Sequence, residues 1–419
     1  MEQTPKFSTP LGFDTLRNQN ISLEYPRDIS QHVTLLGVTG SGKTTTAVAL
    51  MGGAAAAGMS IVIVDAKGGG LRNIALGLSK QTNLPYREVV PGIAKSYGYN
   101  PCRLGSRSQV ADKIVSSFTH GGASDIYRLI GQEAIAILTG VLRTLGQEVS
   151  IRTLRSELNR YRMPALAKQV AELDTSMAED LLDLSKRGRV AYDALDGMRS
   201  RLGALLHGAY GEIFDNVEQQ LDLVESLNQP GVTYISLPAL AVSADTALMA
   251  RVLIQDLKQV AYERLQDENT RPALLILDEF AALDDPDQIN DLLRQAREAK
   301  ICTVVSTQHL PDALSAYGLR MSLLGAGALI AHRTVAEDAE TVAQTIGTEK
   351  ANEVTRSFEQ GANNGSGSVR RVDHFIIQPN DIKQLSTGEA VVLLNVGSRR
   401  VQRIIVQPPQ EEPYGDKAS

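Results

Sequence analysis

The most constraining feature of this chain is a short glycine-rich run, GVTGSGKT, at residues 37–44. It follows the apolar, β-branched run HVTLLGV (32–38) and precedes a segment of helical length. A second apolar run, MSIVIVDA (59–66), comes after that segment. The order strand, loop, helix, strand requires a crossover connection and therefore predicts parallel strands in an α/β fold.

The loop fits the phosphate-loop pattern, in which glycines let backbone N–H groups turn inward around a β-phosphate. In that pattern Lys43 reaches the β- and γ-phosphates and the Thr44 hydroxyl binds Mg²⁺. The alternative is a glycine-rich turn with a solvated lysine, which the flanking strand and helix disfavour. The residues predicted to bind the nucleotide are Gly37, Thr39, Gly40, Ser41, Gly42, Lys43, Thr44 and Thr45.

Further elements extend this pattern along the chain. Four more apolar runs are typical of buried strands: GVTYISL (231–237), ALLILDEF (273–280), ICTVVST (301–307) and GALIAHR (327–333). Amphipathic segments at 246–265 and 287–299 separate them. Together these elements predict a doubly wound α/β domain with a mostly parallel sheet.

The character of the sequence changes between about residues 106 and 228. Apolar residues recur there at i, i+3 and i+4, as in 127–146 and 178–206, and no convincing strand separates them. We therefore predict an all-helical insertion. The predicted organisation is a nucleotide-binding domain (1–105 and 229–408), the helical domain (106–228) and a flexible tail (409–419). Within the nucleotide-binding domain we predict an N-terminal extension (1–30), a mobile Gly/Asn/Ser-rich stretch (359–371) and a C-terminal β-hairpin at the sheet edge (388–406).

Two acidic residues follow an apolar strand in the run LLILDEF. Open α/β sheets place their ligand chemistry at the carboxyl ends of strands, where Asp278 and Glu279 would lie. We predict that Asp278 holds Mg²⁺ through water and that Glu279 polarises the attacking water. The same two acids would also suit a helix N-cap.

Two further polar residues have roles that the pattern leaves open. Gln308 follows the next strand, where an amide could sense the γ-phosphate or orient water, or could cap the following turn. Arg297 lies in the amphipathic segment 287–299, and on its spacing alone it is a solvated helix arginine.

Composition excludes several other functions. The formal charge of −6 means that any binding to nucleic acid needs a local lining of Lys and Arg. The two cysteines and six histidines have no metal-ligand or redox spacing. The uncharged stretch 44–64 is long enough for a membrane span, but its two halves suit one helix and one buried strand. With no signal peptide at the N-terminus, a cytoplasmic protein is expected.

The run LLILDEFAALDDPDQINDLLRQAREAKICTVVSTQHLPDAL (274–314) resembles the conjugative coupling proteins of type IV secretion, the TraD, TrwB and TraG group, within the FtsK/HerA class of hexameric DNA translocases. Other segments agree over about residues 20–407: DAKGGG (65–70), in which Ala66 replaces the family's proline, YGYNPC (97–102), 197–215 and 331–347. The helical insertion matches only at its edges. The resemblance implies a RecA-like P-loop NTPase with an inserted all-α domain.

The resemblance also implies roles, cofactors and partners. Arg297 becomes a finger that reaches the nucleotide of a neighbouring subunit, Gln308 a γ-phosphate sensor, and Arg320 a basic residue near the subunit interface. ATP and Mg²⁺ are the implied cofactors. The implied partners are DNA, bound independently of base sequence with single strands favoured, a relaxase, type IV secretion components and five further copies in a homo-hexamer, assembled only on DNA or with a membrane partner.

The leading hypothesis is therefore an ATPase motor that moves single-stranded DNA, with its relaxase, toward a secretion channel. One alternative is a HerA/FtsK-like pump acting on duplex DNA, and another is a substrate-recruiting adaptor with a nucleotide switch. Most coupling proteins carry N-terminal transmembrane helices, and this sequence has none. We expect it to act at the inner face of the cell membrane.

Overall fold

The structure is a computed structural model that describes residues 7–15, 17–25, 28, 31–118, 125–215, 218–239, 243–267, 270–280, 285–359, 362–397 and 399–407, with the side chains of Phe7 and of 355–368 excepted. The chain divides into two compact units. Unit 1 contains Ala54–Thr303, and unit 2 contains Lys6–Gly53 with Val304–Glu411. The predicted flexible tail, 409–419, lies outside the described residues.

Strands and helices alternate through much of the chain. The strands are β1 (Phe7–Asp14), β2 (Gln19–Tyr25), β3 (Val33–Leu36), β4 (Ser60–Asp65), β5 (Tyr86–Val89), β6 (Gly98–Tyr99), β7 (Gln220–Leu221), β8 (Gly231–Ser236), β9 (Ala273–Asp278), β10 (Ile301–Thr307), β11 (Ala328–Ala331), β12 (Thr348–Glu359), β13 (Ala362–Phe375), β14 (Glu389–Leu394) and β15 (Arg400–Val406). The helices are α1 (Lys43–Ala56), α2 (Arg72–Thr82), α3 (Arg107–Ser116), α4 (Asp125–Thr144), α5 (Ile151–Glu157), α6 (Met163–Val170), α7 (Thr175–Lys186), α8 (Arg189–His207), α9 (Gly211–Asp215), α10 (Leu223–Asn228), α11 (Ser243–Leu265), α12 (Pro286–Glu298), α13 (Tyr317–Leu324), α14 (Ala336–Ile346) and α15 (Pro379–Lys383).

Unit 1 contains four parallel strands in the order β9-β4-β8-β5. All six residues of β4 and of β8 are buried, which is the pattern of strands covered on both faces. Residues Asp65 and Asp278 pair in register at the carboxyl ends of β4 and β9. The predicted strands at 59–66, 231–237 and 273–280 are confirmed.

Unit 2 contains the strand order β2-β1-β15-β14-β11-β3-β10. Strand β3 pairs in parallel with β10 and β11, and the pairings from β11 outward to β2 are antiparallel. Strands β14 and β15 pair as an antiparallel hairpin, but the prediction that this hairpin forms the sheet edge is wrong. The N-terminal strands β1 and β2 continue the sheet beyond β15, because residues Gly12–Asp14 of β1 pair with β15 and β2 pairs with β1.

The stretch between β6 and β8 is mainly helical. Helices α3 to α10 succeed one another there, with only the two-residue strand β7 among them in the described part of the chain. The apolar pattern over 178–206 is divided between α7 and α8, because Gly188 is the N-cap of α8 and the chain at Arg187 leaves the helical conformation. The proposed domain limits at 106 and 228 stay a prediction.

A long antiparallel ribbon contradicts the prediction of a mobile stretch at 359–371. Strands β12 and β13 pair from Thr348 with Phe375 to Glu359 with Ala362, so most of that stretch belongs to β13.

Within the described part of the chain, no helix combines the length and the apolar character that a bilayer span requires.

Candidate functional site

The phosphate loop connects β3 to α1 in unit 2. Gly40 and Gly42 have φ values of 74° and 117°, a region that favours glycine. A Cβ on Gly42 would also approach the backbone nitrogen of Gly388 to 3.0 Å. Both glycines therefore meet a backbone requirement, which is why the sequence pattern fixes them.

Lys43 begins helix α1 and is buried, and its ammonium turns back over the loop. Its Nζ donates to the carbonyl oxygen of Gly37 and lies 3.5 Å from that of Val38. A phosphate oxygen would be a stronger, charge-assisted acceptor for the same ammonium. The Ser41 hydroxyl is buried with no hydrogen-bond partner in the described part of the chain, and Thr44 is exposed at the start of α1. These donors fit a phosphate-bearing ligand.

Gln308 lies directly against this loop. Its Oε1 accepts a hydrogen bond from the Thr39 hydroxyl at 3.1 Å, and the Gly37 backbone N–H donates to the Thr307 carbonyl at 3.2 Å. The end of β10 is thereby fixed to the phosphate loop. The amide is in position to respond to what the loop holds, although its role as a sensor stays a prediction.

Sequence reasoning missed a buried histidine behind the loop. His332, just after β11, is fully buried, with Nε2 2.9 Å from the Thr46 hydroxyl and Nδ1 2.9 Å from the Glu389 carbonyl oxygen. Nothing in its spacing singles it out within GALIAHR (327–333). His309, which follows Gln308 in sequence, has a different environment. That residue is largely exposed and lies 3.3 Å from Asp338.

In unit 1 the carboxylate of Asp65 organises the turn after β4. Its two oxygens accept four backbone N–H bonds of 2.9–3.1 Å, from Lys67, Gly68, Gly69 and Leu71, and a fifth hydrogen bond of 2.9 Å from the Tyr234 hydroxyl. The carboxylate of Asp65 is fully buried, and these donors replace the hydrogen bonds to water that burial removes. The DAKGGG turn is consequently a defined structure, with Lys67 projecting from it.

Glu279 follows β9 in a left-handed backbone conformation, with φ of 53°. Such a conformation costs a non-glycine residue on the order of 1 kcal/mol and persists where the surroundings enforce it, often at functional sites. Its carboxylate is largely buried, and Oε1 lies 2.6 Å from the Lys67 ammonium. Asp278, the last residue of β9, is half-buried. The two acids thus differ in exposure, which suits different roles.

Arg297 and Arg320 have opposite environments. Arg297, in the last turn of α12, is exposed, and within the described residues its guanidinium has no hydrogen bond or ion pair. The guanidinium of Arg320 donates to the Pro311 carbonyl and to the Thr341 hydroxyl, both at 2.9 Å. Arg297 is therefore available to another molecule, whereas Arg320 is held within its own chain.

No group of three or more His, Cys, Asp or Glu side chains that could hold a metal occurs in the part of the chain that the structure describes. The predicted Mg²⁺ site would use a hydroxyl, one carboxylate and ligand oxygens instead of a protein cage. Thr44 and Asp278 as the metal residues stay a prediction.

Comparison with protein families gives two matches. The family described as the type IV secretion-system coupling protein DNA-binding domain matches residues 108–406, which is more than half of the chain. The central domain of helicase HerA matches residues 12–69, which include the phosphate loop. No curated protein matches this chain.

Solved structures share the fold. The unbound monoclinic form of the bacterial conjugative coupling protein TrwBdeltaN70 has a TM-score of 0.67 and 16% identity, over 97% of this chain and 91% of that one. TrwB in complex with the non-hydrolysable ATP analogue ADPNP has a TM-score of 0.64 and 17% identity, over 94% and 89%. VirB4 of Thermoanaerobacter pseudethanolicus has a TM-score of 0.60 and 12% identity, over 96% of both chains. The predicted fold, a RecA-like P-loop NTPase with an all-α insertion, is confirmed.

Proposed function

Because the chain belongs to the family of type IV secretion-system coupling proteins, we propose that it is an ATPase motor that translocates DNA. The observation that carries this proposal is the contact between Gln308 and Thr39, which ties a strand end to the phosphate loop. A residue so placed can transmit the state of the bound nucleotide to the rest of unit 2. Such a link is what a motor requires and a passive binding protein does not.

Four residues are assigned to binding and hydrolysis. Lys43 neutralises the transferring phosphate, and Thr44 with Asp278 would hold Mg²⁺. When bound, ATP with Mg²⁺ supplies the phosphoanhydride bond whose hydrolysis drives movement. Glu279 orients a water and accepts its proton, and its enforced backbone conformation supports a role at the reacting centre. The solved TrwB complexes with an ATP analogue and with ADP and Mg²⁺ support these cofactors.

Assembly into a homo-hexamer would complete the site. Arg297 is exposed and has no partner among the described residues, as expected of an arginine that acts on a neighbouring subunit. An arginine supplied in trans stabilises transition-state charge, so turnover should rise as rings form. We propose that the ring forms on DNA or with a membrane partner.

The proposed substrate is single-stranded DNA, gripped through phosphates independently of base sequence, and delivered with a relaxase to a type IV secretion channel at the inner face of the cell membrane. Because the net charge is −6, binding to the DNA phosphates requires a local cluster of Lys and Arg side chains. The HerA match over 12–69 favours a second candidate, a pump for duplex DNA.

The decisive experiment measures steady-state ATP hydrolysis at low salt, alone and with single-stranded or duplex DNA, while light scattering follows assembly. Stimulation by single strands together with a hexamer is the expected result. Stimulation by duplex only would favour the HerA-like pump. Turnover indifferent to every DNA would overturn the motor and leave an adaptor with a nucleotide switch, which would be tested by relaxase binding.

The arginine finger needs its own test. Arg297→Ala should keep nucleotide binding and lose turnover, and mixing with a Lys43→Ala variant should restore part of it, because the Lys43 variant still contributes its arginine. Arg294, exposed one turn earlier on α12, provides the matched control, and Arg294→Ala should hydrolyse ATP normally. If mixing restores nothing, the in-trans role is wrong.

A further inference from the structure

His332 lies directly beneath the phosphate loop, between two elements that are distant in sequence. It follows β11, and its ring is hydrogen-bonded on one side to Thr46 in α1 and on the other to Glu389 at the start of β14. The residue is fully buried. The imidazole therefore joins the helix that begins at the phosphate loop to a strand of the antiparallel part of unit 2.

The two partners fix the chemical state of the ring. The Glu389 carbonyl oxygen can only accept, so Nδ1 carries the proton that it donates. In the neutral ring Nε2 is then an acceptor, and the Thr46 hydroxyl donates to it. Burial lowers the pKa of His332 to about 4, and the nearby Lys43 ammonium acts in the same direction. The ring is accordingly neutral at physiological pH, with one defined tautomer.

The glycines at the start and near the end of the loop make room for this histidine. A Cβ on Gly37 would lie 2.8 Å from the Cβ of His332, and a Cβ on Gly42 would lie 3.2 Å from its Cε1. Real Cβ atoms hardly ever make contacts as short as the first. The loop thus passes close to residue 332 at two points, its Cβ at Gly37 and its ring at Gly42.

The residues before β14 contact the same loop. The Thr387 hydroxyl donates to the Gly40 carbonyl at 3.1 Å, and the Gly388 N–H donates to the Ser41 carbonyl at 2.9 Å. Thr387 and Gly388 therefore hydrogen-bond to the loop itself, and the next residue, Glu389, hydrogen-bonds to His332 beneath the loop. The carbonyls of Gly40 and Ser41 are thereby turned toward this segment, which fixes the middle of the loop.

We propose that His332 is a positioning residue that holds the phosphate loop and the first turn of α1 in the shape that binds a nucleoside polyphosphate. It touches no reacting atom. It acts through Thr46 and through the 387–389 segment, and this inference rests on nucleotide being the ligand of the proposed function. Loss of the hydrogen bond to Thr46 should weaken binding of nucleotide in its ground state and transition state alike.

The test uses the full chain and a fluorescent ADP analogue. His332→Asn keeps a donor near Glu389 and loses the acceptor for Thr46, while Thr46→Val removes the hydroxyl at nearly constant volume. Each single variant should raise the Kd for the analogue about tenfold, the loss of one buried hydrogen bond. The double variant should bind no worse than either single one, because both remove the same bond. In hydrolysis, KM for ATP should rise with kcat little changed.

Conservative and matched controls separate positioning from packing. His332→Gln places an acceptor near the former Nε2 and should recover part of the affinity. His309→Asn changes an exposed histidine of the same unit and should leave the Kd unchanged. Equal Kd values for wild type, His332→Asn and Thr46→Val, or strictly additive losses in the double variant, would overturn the proposal. Wild type that binds the analogue without DNA-stimulated turnover would instead refute the motor and leave the role of His332 standing.

Discussion

The Lys67 ammonium lies 2.6 Å from Oε1 of Glu279. Lys67 projects from a turn that the buried carboxylate of Asp65 holds with four backbone hydrogen bonds, and Glu279 has a left-handed backbone. Both ends of this ion pair are thus fixed by their own surroundings. A carboxylate oxygen that is paired with an ammonium is less free to accept a proton from water, so the ion pair restrains the proposed catalytic base.

Replacing Lys67 with Met should release Glu279. We expect DNA-independent ATP turnover to rise about two- to fivefold, the range that corresponds to losing a partly exposed ion pair. The measurement is steady-state hydrolysis with and without DNA. Lys67→Arg, which keeps the charge, should behave as wild type. A fall in turnover in the Met variant would mean that Lys67 assists hydrolysis instead of restraining it.

Gln308→Ala should separate nucleotide binding from hydrolysis. The amide hydrogen-bonds to Thr39 at the edge of the loop, whereas the Lys43 ammonium binds the Gly37 carbonyl, so the Kd for ADP should stay within about twofold. Turnover should fall roughly 10²-fold, as when one oriented polar group is removed from a reacting centre. Equilibrium binding and steady-state hydrolysis measure the two quantities. Full turnover in this variant would reduce Gln308 to a strand-end cap.

Stability should fall in mild acid because His332 is buried in its neutral form. Its folded pKa of about 4 lies below the ordinary histidine pKa of 6.5, so between these values the unfolded chain binds a proton that the folded chain does not. The stabilisation is complete above about pH 6.5 and is lost as the pH falls toward 4, by about 3 kcal/mol in all. Urea unfolding at pH 7.5 and 5 measures the effect.

The control for the acid effect is a variant that cannot titrate. His332→Gln should show a shallower dependence of unfolding free energy on pH over this interval, whereas His309→Asn, which changes an exposed ring, should keep the wild-type dependence. The Lys43 ammonium, in the same unit, also disfavours the protonated ring. Equal slopes in all three proteins would exclude His332 as the source.

The sequence predicted the parts of the fold that periodicity and fixed glycines encode. Strands such as β4 are continuous apolar runs, and the phosphate loop has glycines where the backbone requires them. Strand β2 alternates apolar and polar residues in ISLEY (21–25), but it pairs with β1, whose polar residues and Pro10 interrupt any alternation. Strand β1 in turn pairs with β15, almost 400 residues away. Long-range pairing of this kind has no local sequence signal.

The candidate site was predictable to the same extent. Lys43 begins helix α1 and Gln308 directly follows strand β10. Both elements have a clear sequence pattern, so the placement of the two residues could be inferred. His332 could not, since a histidine at a strand end has no special spacing, and its role depends on Thr46 and Glu389 meeting it in space. The partnership of Lys67 with Glu279 was equally hidden, because it depends on a turn that Asp65 shapes.

Two adjacent glycines of α1 should respond in opposite ways to alanine. By helix propensity alone, Gly→Ala stabilises by about 0.5–1 kcal/mol, and Gly52→Ala should do so because nothing lies within 4 Å of its Cβ position. A Cβ on Gly53 would lie 1.7 Å from the Oγ1 of Thr9, a buried residue of β1. Gly53→Ala should therefore destabilise by about 1–3 kcal/mol, as overpacking does.

Thermal and urea unfolding of the two alanine variants measure this contrast directly. The variants share residue type, helix and neighbouring position, so the difference between them reports the packing of β1 on α1 and not intrinsic propensity. Adding Thr9→Ala to Gly53→Ala should recover part of the loss, because it removes the closest atom, whereas adding it to Gly52→Ala should not stabilise. If Gly53→Ala is as stable as Gly52→Ala, Thr9 of β1 does not pack on α1 in solution.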